Sequence, residues 1–366
     1  MTPAPRTAVV LGGGVLGTST AHALQRAGVV TTLLTRGEPA DGASGRSLSW
    51  LNSAGARSEA YHLLRTVGID RYRTLFAQDP TRAWLRFDGG LWWSTGADEA
   101  RARHTHETSI GYDSEALDPE QVSARFPGVR AAAPAVHNPG EGWVSLPHLI
   151  AHLAGEFTAA GGTLRTGAGE CAVLVEDGRA AGVRAGDGST VRADAVVVAC
   201  GASTPAVLAG FGVDLPDASP LSALVETEPV DSPVRTVLNT PRAALRPQPG
   251  GGFAVDHDWY VEQIEERPDG SCALDGKFVD ELLAEAGAVL DGTPLEAARW
   301  RAGRKPIPAD GEPVLGELSA VSGCHVVFTH SGATLGLIVG ELIAHGVTTG
   351  TAHPLVAPFS PRRFGC

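Results

Sequence analysis

The 366-residue chain predicts an α/β fold: a Rossmann-like parallel-sheet domain assembled from discontinuous segments, plus an α+β domain with a mixed or antiparallel sheet. Three observations predict it. A short apolar strand near the N-terminus runs into a glycine turn and then a helical stretch. A wholly apolar strand, Val196-Val197-Val198-Ala199, lies far down the chain, as strands buried on both faces of a parallel sheet do. A further strand–glycine turn–helix pattern closes the chain.

Taken in order, Ala8-Val9-Val10-Leu11 reads as a buried strand. Gly12 to Gly17 turns into a helix ending near Ala27 at Gly28, and Val30 to Leu34 is a β-branched second strand, completing a βαβ unit. Leu85 to Trp93 alternates like one strand, so at most one of Trp92 and Trp93 faces any cavity. Leu149, Ile150, Leu153 and Phe157 give His148 to Ala160 helical spacing, stopped at Gly161-Gly162. Cys171 to Val183 and Val191 to Ala199 read as strands with turns at Asp177-Gly178 and Asp187-Gly188. Prolines and short alternating runs from Pro216 to Pro249 suit an antiparallel sheet. His325 to Phe328 is the last strand, and Ala333 to His345 the last helix, with Gly346 as its stop. The division expected is 1–84, 146–215 and 301–366 for the parallel-sheet domain, and 85–145 and 216–300 for the other.

Composition narrows the function. Hydrophobic residues make up 43% of the chain, enough for a large core, and the net charge of −12 argues against nucleic acid or anionic membrane as a main partner. The five cysteines, at 171, 200, 272, 324 and 366, form no Cys-x-x-Cys pair. Their spacing suggests no zinc site and fits a reducing, cytoplasmic location. No signal pattern opens the chain, and the apolar runs fall short of the ~20 residues of a membrane span. No metal-ligand cluster and no Ser/His/Asp triad is apparent. Lysine occurs only at Lys277 and Lys305 among 29 basic residues, which makes each one informative.

Gly12, Gly14 and Gly17 match G-x-G-x-x-G. The first permits a tight turn, the second lets backbone approach a pyrophosphate, and the third lets the helix pack on the strand. Val15 and Leu16 would offer free N–H groups at the positive helix end. The acid expected ~20 residues on, which grips a ribose hydroxyl, is missing. Thr35 and Arg36 stand there instead, a pair equally suited to a 2′-phosphate. The turn alone therefore leaves FAD and NADP open.

Distal motifs decide between them. Gly42-Ala43-Ser44-Gly45-Arg46-Ser47 is a small-residue loop, and Glu141-Gly142-Trp143-Val144-Ser145-Leu146-Pro147 follows later. Ala199-Cys200-Gly201 ends the apolar strand, Pro306 to Gly316 is proline- and glycine-rich, and His330-Ser331-Gly332-Ala333-Thr334-Leu335 opens the last helix. In that order and spacing the chain resembles the D-amino-acid oxidase-like flavoprotein family over nearly its whole length.

The resemblance implies an FAD-binding domain in pieces and a substrate domain. It implies FAD contacts from Ala43, Ser44, Arg46, Ser47 and Leu48, from Cys171 toward adenine, from Cys200 and Gly201 near the pyrophosphate, and from Gly332, Ala333, Thr334 and Leu335 at the flavin N1–C2=O edge, where a helix N-terminus stabilises negative charge. Gly303 lies where some members carry a flavin-linking cysteine, and no histidine occurs in 42–51. Non-covalent FAD is expected.

The implied reaction is hydride transfer from a C–H next to an amine to flavin N5, giving an imine. The substrate is a small amine or amino acid, and O2 or another acceptor reoxidises the flavin. Activity should rise with pH until the amine is neutral. Members that oxidise amino acids carry an arginine before the Pro306 motif. Here Lys305 stands there, preceded by Arg304. Lys305, His330 and Lys277 are the catalytic candidates; Arg304, Tyr260 and Trp50 are the substrate-binding ones. The alternatives are an NADP-dependent oxidoreductase and a non-catalytic dinucleotide-binding module. Neither substrate identity nor oligomeric state is encoded in any motif.

Overall fold

The computed structural model describes residues 5–366. The chain divides into two compact units. Among the described residues, unit 1 comprises 5–45, 146–220 and 304–366, and unit 2 comprises 46–145 and 221–303.

Unit 1 is built on a six-stranded sheet in the order Val314–Glu317, Cys324–Phe328, Ala195–Val198, Thr7–Leu11, Val30–Leu34, Thr163–Arg165. The pairings among the last five are parallel; Val314–Glu317 joins antiparallel at the edge. Val9, Val196, Val198, Val326 and Phe328 are fully buried, which is why these strands read as unbroken apolar runs. The helices Val15–Arg26, Leu146–Ala159 and Gly332–Thr349 belong to the same unit. The last of these is long and apolar enough to cross a membrane by length and composition. The apolar-run argument did not foresee that. Most of its face is buried, Leu335, Ile338, Val339, Leu342 and Ile343 included.

Three expectations shift here. The last helix continues through Gly346 to Thr349 and ends at Gly350, whose φ of +69 closes it left-handed. Val191–Ala199 is two strands: Thr190–Arg192 completes an antiparallel meander with Ala172–Glu176 and Arg179–Arg184, while Ala195–Val198 enters the parallel sheet. Cys171 precedes its strand instead of opening it.

Unit 2 carries an eight-stranded mixed sheet in the order Ala297–Arg304, Leu221–Thr227, Phe253–Asp256, Ala244–Pro247, Val237–Asn239, Gly90–Trp93, Ala135–Asn138, Glu115–Leu117. One face is the apolar core: Leu91, Val225, Leu238, Leu245 and Val255 pack with Leu282, Leu283 and Ala286 of the helix Gly276–Val289. A small sheet of Trp50–Leu51, Gly142–Val144 and Leu85–Arg86 completes the unit. Residues 46–84, expected with the parallel-sheet domain, group here because Trp50, Leu51, Leu85 and Arg86 pair with the Gly142–Val144 strand. Leu85–Trp93 is broken at Gly89, φ +82, and its halves enter different sheets. Trp93 is the core-facing member of its pair.

Candidate functional site

In unit 1 the glycine turn is shaped by what its neighbours forbid. Gly12 has φ +109, and a Cβ there would lie 2.2 Å from the Ala199 carbonyl oxygen. A Cβ on Gly17 would lie 1.9 Å from the Gly12 carbonyl oxygen. Those distances are well inside van der Waals contact, so both positions exclude any side chain. Gly13 is less tightly constrained: its Cβ would meet the Thr35 side chain, Oγ1 at 2.8 Å.

Gly14 caps the helix Val15–Arg26 with no side-chain bond, and no acid occupies the first turn. One helical N–H is claimed: Val15 N donates to Ser44 Oγ at 3.0 Å. The second helix start is adjacent, since a Cβ on Gly332 would sit 3.8 Å from Val15 Cγ1 and Leu16 Cδ1. Two helix N-termini thus converge, each contributing partial positive charge. Ser331 occupies the N-cap position of the second helix, but its side chain makes no capping bond, contrary to the usual role of serine there. Its N–H donates to Thr329 Oγ1 at 3.3 Å.

Several other expected cofactor residues belong to the same unit. Thr35 is buried and its backbone is committed to Arg165 O and Ala168 N. Arg36 is exposed, and its carbonyl accepts from Gly169 N. The Cys171 thiol points at the Ala168 and Gly169 carbonyls. Thr35, Arg36 and Cys171 therefore meet through the 168–169 backbone. Cys200 lies over Leu11 O, burial pushing its thiol up to about 12, so it is a neutral packing group and not a nucleophile. Gly201, φ +56, turns the chain there. Ala43 and Ser44 lie in unit 1, whereas Arg46, Ser47, Leu48 and Trp50 lie in unit 2.

The catalytic candidates fare unevenly. Lys305 is half-buried, its N–H fixed to Pro220 O at 2.8 Å. Arg304 is exposed and donates to Ser219 O at 3.1 Å. His330 is exposed. Lys277 is corrected: it starts an exposed helix turn, paired with Asp275 at 3.2 Å, and is a solvated charge. Tyr260 is corrected too. It is fully buried in the unit 2 core, its hydroxyl donating to Ala223 O at 3.0 Å.

In unit 2 the Arg46 guanidinium fills the place a side chain at 303 would take; a Cβ on Gly303 would lie 2.4 Å from Arg46 Nη2. Burial, then the nearby Arg301, hold Arg46 below its ordinary pKa. Ser47 to Ser49 form a tight kink. Ser49 N donates to Ser47 Oγ, and Ser49 adopts φ +59, a strained angle for a side-chain-bearing residue. The kink presents the Leu48 carbonyl to Arg246.

Two groups of this unit escaped sequence reasoning. Arg246 looks like an outward position in a short alternating strand, yet it is buried. Glu141 looks like a turn residue before Gly142, yet it too is fully buried. Its carboxyl accepts from Tyr112 Oη at 2.6 Å, and a Cβ on Gly90 would meet both its Oε2 and the Trp50 indole nitrogen. Nearby Glu107 is paired with Arg103 at 2.9 Å and accepts from Asn138 Nδ2 at 2.8 Å.

Burial pushes the Glu141 carboxyl from its ordinary 4.5 up to about 8. An acid neutral in the folded state but ionised in the unfolded one makes stability fall as pH rises from about 4.5 to about 8. The loss is on the order of 3–5 kcal/mol. Glu141→Gln keeps an acceptor for Tyr112 without the titration. We expect its melting temperature to be nearly flat over that range while the parent falls; parallel curves would refute this.

Comparison with known proteins bears on the whole chain. A family model described as DAO, FAD dependent oxidoreductase, matches residues 7–345. The chain is 25% identical to the uncharacterized oxidoreductase YurR of Bacillus subtilis, covering 96% of this chain and 98% of that protein. It is 26% identical to a D-amino acid dehydrogenase of Methylobacterium sp. strain 4-46, over 97% and 98%. Its fold superposes on iminodiacetate oxidase from Chelativorans sp. BNC1 with a TM-score of 0.83 at 21% identity, covering 97% and 98% of the two chains.

Proposed function

The chain belongs to the FAD dependent oxidoreductase family, and from that premise we propose that it oxidises a carbon–nitrogen bond of an amino acid or secondary amine, leaving an imine that water hydrolyses. Its similarity to a D-amino acid dehydrogenase and to iminodiacetate oxidase supports this substrate class. The structural observation that carries the reading is the cradle at Gly12, Gly14 and Gly17. Side chains are excluded at Gly12 and Gly17, no acid blocks the first helical turn, and a second helix start adjoins it at Gly332. That donor set fits the pyrophosphate of FAD.

Bound FAD would supply the two-electron acceptor for the substrate C–H bond, with O2 or another carrier as the final oxidant. The chain's own part is positional. Ser44 and the N–H groups after Gly14 would fix the phosphates. The helix beginning at Gly332 would set its positive end against developing negative charge. Thr35 and Arg36 would meet the adenosine ribose with a hydroxyl and an exposed cation in place of an acid. Lys305 would stand as a point charge at the carboxylate or the flavin. Gly303 carries no side chain that could link the flavin, and the Arg46 guanidinium lies over it, which supports non-covalent FAD.

Purified protein should be yellow, release its colour on denaturation, and generate peroxide or reduce an artificial acceptor when given amines. Its rate should climb with pH as the amine loses its proton. Colourless protein that binds NADPH would overturn the proposal.

A further inference from the structure

Within unit 1 the strand Val30–Leu34 ends beside the glycine turn, where an acid ordinarily grips the ribose hydroxyls of a bound dinucleotide. Thr35 and Arg36 hold that place, and the structure gives them different tasks. Thr35 is 5% exposed and its side chain packs on the turn: a Cβ on Gly13 would meet its Oγ1 at 2.8 Å and its Cβ at 2.9 Å. Its N–H donates to Arg165 O at 3.0 Å, and its carbonyl accepts from Ala168 N at 2.9 Å.

Arg36 is exposed. Its carbonyl accepts from Gly169 N at 3.1 Å. Among the described residues its guanidinium has no hydrogen-bond, ion-pair or ring partner. The carboxylates that follow it in sequence do not neutralise it. Asp41 is turned back on its own loop, its Oδ2 accepting from Glu38 N at 2.6 Å, and Glu38 forms no ion pair among the described residues. The loop itself is folded onto the turn, Ala40 N donating to Gly13 O at 3.0 Å. The Arg36 charge is also felt at Cys200: burial raises that thiol most, and Arg36 is among the groups opposing it. Cys200 follows the strand Ala195–Val198, so Arg36 stands near the carboxyl ends of the parallel strands, where such sheets bind ligands.

FAD offers this cation only neutral ribose hydroxyls. A phosphate on the ribose would bring about two negative charges, and a guanidinium holds phosphate oxygens with paired bonds. An arginine at this place is the known means of accommodating a 2′-phosphate. We infer that the cradle also binds adenine nucleotides phosphorylated on the ribose 2′-oxygen, with Arg36 holding that phosphate, and that they compete with FAD for the glycine turn. The inference rests on the reading of Gly12 to Gly17 as the FAD site. It concerns occupancy and implies no reaction of the nucleotide.

The test uses the full chain stripped of flavin, with FAD rebinding followed by quenching of flavin fluorescence. The competitors are adenosine 5′-monophosphate, adenosine 2′,5′-bisphosphate and adenosine 3′,5′-bisphosphate. In the parent the 2′,5′-bisphosphate should block FAD at a concentration about 10-fold below that of the monophosphate, the gain from one charge-assisted contact. The 3′,5′ isomer should gain far less. Raising the salt from about 0.05 to about 0.5 M should shrink the advantage, since the cation is exposed. Arg36→Ala should erase it, Arg36→Lys should keep part of it, and Arg36→Glu should reverse it. Each comparison is a ratio within one variant, so a change in overall nucleotide affinity cancels.

Equal blocking by the monophosphate and the 2′,5′-bisphosphate in the parent would overturn the inference and leave FAD binding standing. So would an equal gain from the 3′,5′ isomer, or an advantage that survives Arg36→Ala. A parent protein that purifies without flavin and takes none up would sink the reading beneath it.

Discussion

Gly17→Ala should leave the protein unable to retain its dinucleotide and lower its stability by on the order of 3–5 kcal/mol. The added methyl would meet the Gly12 carbonyl oxygen at 1.9 Å. That atom is backbone in the turn itself, so no rotamer change relieves the clash. The helix Val15–Arg26 must lift from the strand Thr7–Leu11, and its N–H groups leave the position the cradle gives them. Gly28→Ala is the matched control. Gly28, unlike Gly17, has a positive φ, +85, but faces open space, so it should lose only about 1–2 kcal/mol, the cost of a left-handed alanine. Flavin-to-protein ratio and thermal melting read both effects. A Gly17→Ala protein that purifies with full flavin and an unshifted melt would refute the account.

Gly340→Ala should cost several kcal/mol, far more than its place in a helix suggests. Alanine at an ordinary helical glycine stabilises by about 0.5–1 kcal/mol, and Gly346→Ala, with nothing nearer than 4.0 Å, should do so. At Gly340 the new Cβ would fall 2.1 Å from Ser19 Oγ and 2.6 and 2.7 Å from the Ser19 carbonyl carbon and oxygen. The two helices approach backbone to backbone there. Removing the hydroxyl with Ser19→Ala should therefore fail to rescue Gly340→Ala, since the carbonyl remains. Rescue to within about 1 kcal/mol would show that only the hydroxyl mattered. The same helices bring Gly332 against Val15 and Leu16, so FAD affinity should drop with stability.

The parallel sheet was legible because each strand carries its own local signal: Val9 and Val10, Val196 to Val198, and Val326 and Val327 are apolar without interruption and stand next to glycine turns. Residues whose role depends on long-range pairing were not legible. Arg246, between Leu245 and Pro247, has the alternation of a solvent-facing residue; only the Leu48 carbonyl and the Trp143 ring make it buried. Glu141 sits in a turn and is buried by Trp50 and Tyr112, which lie far away in sequence. Tyr260 was a candidate by its place in the second domain, but it lies inside the core, where its hydroxyl donates to Ala223 O. Gly346 looked like a helix stop because glycine weakens helices, yet packing of Ile343 and Val347 carries the helix past it. The break at Gly89 was invisible because Leu85 to Trp93 keeps its alternation across it.

Unit 1's central strands arrive from three remote stretches of chain: Thr7–Leu11 lies between Val30–Leu34 and Ala195–Val198, and Cys324–Phe328 flanks the latter. Arg6 and Asp194, which bond at 2.9 Å, are 188 residues apart. On the ribosome the first βαβ unit emerges early and waits, its Ala8–Leu11 edge unpaired, while unit 2 is still being made. Such non-local pairing slows folding and exposes strand edges. Nascent chains halted before residue 324 would lack the second of the two neighbours of Ala195–Val198 and should remain protease-sensitive in unit 1, with resistance appearing only once the last strand and helix have been synthesised.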